Sequence, residues 1–175
     1  PSFENNNIVS AFKKDKKANL WVSTDGGGLL YYDKKRSKTF VYENIKGHPN
    51  SLSSNNTLTI EIDDTDKVWV GTYNGGIDVF SHQTKQFKHY KNNPKDSTSL
   101  VHDIVWSIYK DSQGRMWACT RHGLCLYRPS TDDFLRFTKT NTNLINESIR
   151  AILEIDSTHF YVATAGGFAI FDLEQ

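Results

Sequence analysis

The chain is poor in the residues that would decide its class at once. Two cysteines in 175 residues exclude a disulfide-stapled scaffold. No apolar run approaches the roughly 20 residues a membrane helix needs, and residues 1–20 carry no signal-peptide core. Charge of one sign is missing too: 21 Lys and Arg against 20 Asp and Glu leave a formal +1. That balance removes the electrostatic case for nucleic acid as a partner. Proline (4) and methionine (1) are scarce. No stretch of 12 or more residues holds a 3.6-residue apolar period, so helices are expected to be few. What is abundant is aromatic: 10 Phe, 8 Tyr and 4 Trp, 13% of the chain.

Those aromatics repeat. Leu20-Trp21-Val22-Ser23-Thr24, Val68-Trp69-Val70-Gly71-Thr72, Met116-Trp117-Ala118-Cys119-Thr120 and Phe160-Tyr161-Val162-Ala163-Thr164 align, with Trp21, Trp69, Trp117 and Tyr161 spaced by 48, 48 and 44 residues. A glycine turn follows each, at Gly26-Gly27-Gly28, Gly75-Gly76, Gly123 and Gly166-Gly167. Alternating runs come next (Leu29 to Asp33, Ile77 to Ser81, Leu124 to Arg128, Phe168 to Asp172), then Phe40-Val41-Tyr42, Phe87 to Tyr90 and Phe134 to Phe137. Another apolar run ending near an Asp precedes each aromatic: Ile8 to Asp15, Leu58 to Asp63, Ile104 to Asp111 and Ile149 to Asp156. Short period-2 runs between Gly, Asp, Asn and Ser turns are strands. Four such strands recurring every 44–48 residues make a β-propeller blade. The expected fold is all-β, with blades at about 5–47, 51–95, 99–142 and 144–175. Trp21, Trp69, Trp117 and Tyr161 are then the anchors that plug neighbouring blades, and Trp69→Ala should cost roughly 3–5 kcal/mol.

The phrase Ser51-Leu52-Ser53-Ser54-Asn55-Asn56, a strand, an Asp turn, then Val68-Trp69-Val70-Gly71-Thr72 and Gly75-Gly76-Ile77 resembles the two-component regulator propeller repeat. The first copy matches through Leu20 to Gly27; the third departs at Ala118-Cys119 and in a shorter turn; the fourth puts Tyr161 in place of Trp. The resemblance implies a piece of the periplasmic sensor region of a hybrid two-component signalling protein of gut Bacteroidetes, anchored in the inner membrane. Its ligand would be an oligosaccharide, and its output, through a histidine kinase, the transcription of polysaccharide-utilisation genes. No cofactor is implied.

Catalytic patterns are not found: the sequence has no Gly-x-Ser-x-Gly, His-Glu-x-x-His or Cys-x-x-Cys, and its six His are scattered rather than set at metal-ligand spacing. A carboxylate pair far apart in sequence, as in a propeller hydrolase or lyase, stays open. Asp63, Asp64 and Asp66 lack the alternating carboxylates and distal Glu of a calcium loop, so no metal site is expected. The Asp of each turn between first and second strands is expected to cap the turn backbone. With Arg121-His122 as a two-residue turn, Cys119 faces Leu124 and Cys125 faces Ala118, so the two thiols point to opposite sheet faces and form no disulfide.

Candidate ligand residues are those that differ between copies where the scaffold does not dictate them. The glycine turns offer Asp25, Tyr73, Asn74, Arg121 and His122; the innermost strands offer Trp106 where other copies have Ser10, Leu58 and a residue near Arg150. Aromatic faces for the sugar ring and directional polar groups for its hydroxyls suit a glycan. A protein-interaction scaffold without a small ligand is the alternative. Lys13, Lys14, Lys16 and Lys17 read as a solvated turn, with contact to an anionic glycan or membrane as the other reading. The last copy has only Leu173-Glu174-Gln175 after its third strand, which predicts an open arc of four blades from a larger ring. The rest of that ring would be its natural partner. Its bare end faces are expected to self-associate.

Overall fold

The computed structural model describes residues 8–142 and 144–174; Pro1 to Asn7, read from sequence as an entry loop, lie outside the described residues. The strands are β1 (Ile8–Lys14), β2 (Leu20–Asp25), β3 (Leu29–Asp33) and β4 (Lys38–Tyr42); β5 (Thr57–Ile62), β6 (Val68–Thr72), β7 (Ile77–Ser81) and β8 (Gln86–Tyr90); β9 (Val105–Lys110), β10 (Met116–Thr120), β11 (Gly123–Arg128) and β12 (Asp133–Phe137); and β13 (Ile149–Glu154), β14 (His159–Thr164) and β15 (Gly167–Asp172). They form three antiparallel four-stranded sheets and a last sheet of three, each in chain order. The innermost strands pack consecutively, β1 on β5, β5 on β9 and β9 on β13. The four blades make an open arrangement.

Stacking buries what a lone blade would expose. Trp21, Leu29, Val68 and Phe80 fill the first interface, Trp69, Val79, Met116 and Phe134 the second, and Trp117, Leu124, Phe160 and Phe171 the third. Trp21, Trp69 and Trp117 are 0, 3 and 0% exposed, as their role as anchors requires. Tyr161 corrects that reading: it holds the same position in β14 but is 45% exposed, because among the described residues no further sheet covers its face. Phe168 and Ile170 lie exposed there as well, and Ile8 and Phe12 of β1 are exposed in the first blade.

The turn aspartates cap as expected, each Oδ1 accepting two backbone N–H groups: Lys17 and Asn19 on Asp15, Thr65 and Lys67 on Asp63, Gln113 and Arg115 on Asp111, Thr158 and His159 on Asp156. In blades two and three the second oxygen does more. Asp63 and Asp111 each accept the indole N–H of their own anchor, Trp69 and Trp117, at 2.8 Å, so one carboxylate ties the turn to the plug. Two of the four lysines in the first turn act between blades rather than facing solvent alone. Lys13 pairs with Glu61 at 2.7 Å and Lys16 donates to the Asp64 carbonyl.

The loops entering blades two and three are clasped from the outer strand pairs. Asp78, fully buried on β7, takes the His89 Nδ1 at 2.5 Å on one oxygen and the N–H and Oγ–H of Ser53 on the other; His89 Nε2 meets the Pro49 carbonyl at 2.7 Å. At the matching pair in blade three stand Cys125 and Arg136. Arg136 binds the carbonyls of Ser99 and Leu100, and Val101 donates to the Cys125 sulfur. Cys119 faces Leu124 and Cys125 faces Ala118, as the two-residue turn requires. The free thiols are buried in different interfaces, and burial pushes both up to about 12, which makes them inert.

Candidate functional site

Each innermost strand breaks register once, at a β-bulge between Val9 and Ala11, Thr57 and Thr59, Val105 and Ser107, and Ile149 and Ala151. The extra residues are Ser10, Leu58, Trp106 and Arg150, spaced 48, 48 and 44 residues like the anchors. A bulge re-aims a side chain out of the sheet's alternation. Here it brings Trp106 and Arg150 of adjacent blades together, the guanidinium carbon 3.9 Å from the ring centroid.

The glycine turns are pinned through their backbones at a second repeat position. Tyr73 N–H donates to the Asn56 carbonyl, Arg121 to Ile104 and Ala165 to Ser148. The backbone is fixed by the neighbouring loop while the side chain is left to the solvent. Tyr73 meets Trp106 edge-on at 6.4 Å, and His122 meets His102 at 4.5 Å. Trp106, Arg121, His122, Asn146, Glu147, Ser148 and Arg150 line an open depression of about 510 Å3.

Of the six ligand candidates read from the sequence, the structure thus gathers Tyr73, Trp106, Arg121 and His122. Asp25 and Asn74 are not part of the group. Asp25 is hydrogen-bonded to the Asn56 amide across an isolated bridge, and Asn74 holds the left-handed turn conformation at φ 65°. Arg150, Asn146 and Glu147, which are not among those candidates, line the same depression. The repeat alignment held the signal for Arg150, since it occupies the position of Trp106 in the next copy.

Polar groups here are underused. The guanidiniums of Arg121 and Arg150 have no carboxylate partner among the described residues. The Trp106 indole N–H is buried without an acceptor. His102 Nδ1 accepts the Ile104 N–H, and burial first, then the neighbouring His122 and Arg121, hold its pKa below the ordinary value.

A larger crevice, about 620 Å3, opens between the outer parts of blades two and three beside Trp69, Tyr90 and Tyr127. Its two tyrosine hydroxyls are already engaged. Both tyrosine hydroxyls donate to Asp132, which Lys88 also pairs. Against the cost of burial, those bonds hold Asp132 down to about 2. Among the described residues, no group of three or more His, Cys, Asp or Glu is placed to hold a metal.

Comparison with known proteins bears out the repeat. The family model described as two component regulator propeller matches residues 99–122. The extracellular domain of a hybrid two-component system from B. thetaiotaomicron superposes with a TM-score of 0.88 at 24% identity, over 98% of this chain and 24% of that one. PorZ, a surface component of the type-IX secretion system of Porphyromonas gingivalis, gives 0.55 at 17% identity over 98% and 34%. Virginiamycin B lyase of Staphylococcus aureus gives 0.64 at 16% identity over 94% and 55%. No curated protein matches in sequence. The chain spans about a quarter of the length of the first of these structures. The fold serves a signalling protein, a secretion component and a lyase, so chemistry must be argued from the site. Residues 99–122 thus match the two component regulator propeller model, within a stack of blades similar in fold to that B. thetaiotaomicron extracellular domain.

Proposed function

We propose that the chain is an extracytoplasmic recognition segment of a two-component signalling protein, and that an oligosaccharide binds over the bulge residues of blades three and four. One observation carries this reading: Trp106, edge-on to Tyr73 and flanked by Arg121, His122 and Asn146, lies where two repeat positions converge. An aromatic face beside directional donors and acceptors is what a sugar ring and its hydroxyls need. The family match and the shared fold support the signalling context. Ligand contacts available in only one arrangement of the blades would shift the conformational equilibrium, and a histidine kinase controlling polysaccharide-utilisation genes would read the shift.

Calorimetric titration with a panel of oligosaccharides tests the reading. Binding by the chain that is lost in Trp106→Ala, with the circular dichroism unchanged, is expected. Failure of every oligosaccharide, with a protein partner recovered instead, would replace it by a protein-interaction scaffold.

A further inference from the structure

The chain has six arginines. Four have their guanidiniums engaged: Arg36 with Asp33, Arg115 with Asp111, Arg128 with Asp133, and Arg136 with the carbonyls of its clasp. The remaining two, Arg121 and Arg150, have no ion or hydrogen-bond partner on the guanidinium among the described residues, and both line the depression at Trp106. They come from different blades and different repeat positions, so no single local turn accounts for their meeting. His122 lines the same space and His102 packs against it, while Glu147 is the one carboxylate among the lining residues. The site therefore carries two permanent positive charges and one negative. Arg150 also lies on the face of Trp106 that a sugar ring would use.

We infer that the site is built for an acidic oligosaccharide, one bearing a carboxylate or sulfate group, and that the acidic group draws Arg150 off the Trp106 ring and frees that face for the sugar. This rests on the oligosaccharide reading above. A planar guanidinium binds a carboxylate or sulfate through two parallel charge-assisted hydrogen bonds, a stronger contact than an exposed cation on an indole face. Arg150 thus exchanges the weaker partner for the stronger as the ligand arrives. Arg121, whose backbone N–H is held by the Ile104 carbonyl, gives the second donor from an anchored backbone. A neutral sugar has nothing with which to displace Arg150.

The test uses four probes on the chain: maltotetraose, sulfated maltotetraose, tetragalacturonate and inorganic sulfate. Both acidic tetrasaccharides, or one of them, should bind at least about tenfold more tightly than maltotetraose. The two arms tell sulfate from carboxylate, and inorganic sulfate alone should compete only weakly. Arg121→Gln and Arg150→Gln should each remove most of the acidic preference and lower its salt dependence, whereas Lys46→Gln, an exposed charge outside the site, should not. Maltotetraose binding as tightly as the acidic probes, with no change in the arginine variants, would overturn the inference and leave the oligosaccharide reading standing. An equal loss in Lys46→Gln would overturn it as diffuse charge attraction. No tetrasaccharide binding at all would remove the oligosaccharide reading and this inference with it. Both arginine side chains are exposed, so the variants should fold; near-ultraviolet circular dichroism checks this.

Discussion

Blades two and three are built alike at their plugs and differently at their clasps. Trp69 and Trp117 sit at one repeat position, are buried to within a few per cent, and give their indole N–H to Asp63 and Asp111 at the same distance. One strand pair further out, the same task of holding the incoming loop falls to His89 and Asp78 in blade two but to Arg136 and Cys125 in blade three. Where a position must fill an interface, shape and apolar area leave few choices. Where it must only offer donors and acceptors to a loop, different chemistry serves. One clasp contains a titratable imidazole, and the other a guanidinium that stays charged at any pH of interest.

The sameness of the plugs is the first thing to break. Trp69→Ala and Trp117→Ala should each cost about 3–5 kcal/mol, combining lost burial with a cavity. Urea denaturation of the two variants should give equal shifts within error. Tyr161→Ala, at the same repeat position on an uncovered face, should stay within about 1 kcal/mol. A large loss there would mean that the face is covered in solution.

The clasps come second. Asp78→Ala leaves the Ser53 N–H and the His89 ring without their buried acceptor and should cost about 2–4 kcal/mol. Cys125→Ala removes only a small buried sulfur and should cost about 1–2 kcal/mol. Limited proteolysis should then cut the Pro49–Ser53 loop in Asp78→Ala, while residues 99–101 stay protected by Arg136.

The pH response separates the clasps more finely. The hydrogen bond to Asp78, against the opposing cost of burial, raises the His89 pKa above the ordinary imidazole value. A group whose folded pKa is raised gives its full stabilisation below its unfolded pKa, about 6.5. That contribution disappears as pH rises through the folded value. Unfolding free energy should therefore fall on going from mildly acidic to alkaline solution, and His89→Gln should flatten the curve. Wild type and variant with parallel pH profiles would remove His89 from the account. His82 and His102 are shifted the other way, mainly by burial, so the difference between wild type and His89→Gln is the quantity to read.

The smallest effect concerns the uncovered faces. Phe168 is 72% exposed beside Tyr161 and Ile170, and Phe12 is 71% exposed on the first blade. Sedimentation over a concentration series should show weak self-association, reduced in Phe168→Glu. A strictly monomeric chain would refute it.

Local patterns made most of this legible in the sequence. The strands, the buried tryptophans, the aspartate caps and the pairing across Arg121-His122 all follow from residues within one repeat. What escaped depends on residues that meet from different repeats or across loops. Arg150 reaches Trp106 from 44 positions away because both sit on bulges, and a bulge is set by strand pairing that periodicity does not show. His89 could be read as one more scattered histidine, since its partners Asp78 and Pro49 come from another strand and a distant loop. Tyr161 holds the repeat position of Trp21, Trp69 and Trp117; its exposure is a property of what lies beside it.

The backbone pins at the glycine turns have a consequence for how such a protein can change. Because Asn56, Ile104 and Ser148 hold the turns through their carbonyls, the fold is indifferent to the side chains at Tyr73, Arg121 and Ala165. The bulge positions Ser10, Leu58, Trp106 and Arg150 carry four unrelated side chains on one backbone shape. These are interchangeable parts on a fixed frame. Substitution at them changes what this surface presents one residue at a time, while every blade goes on stacking as before.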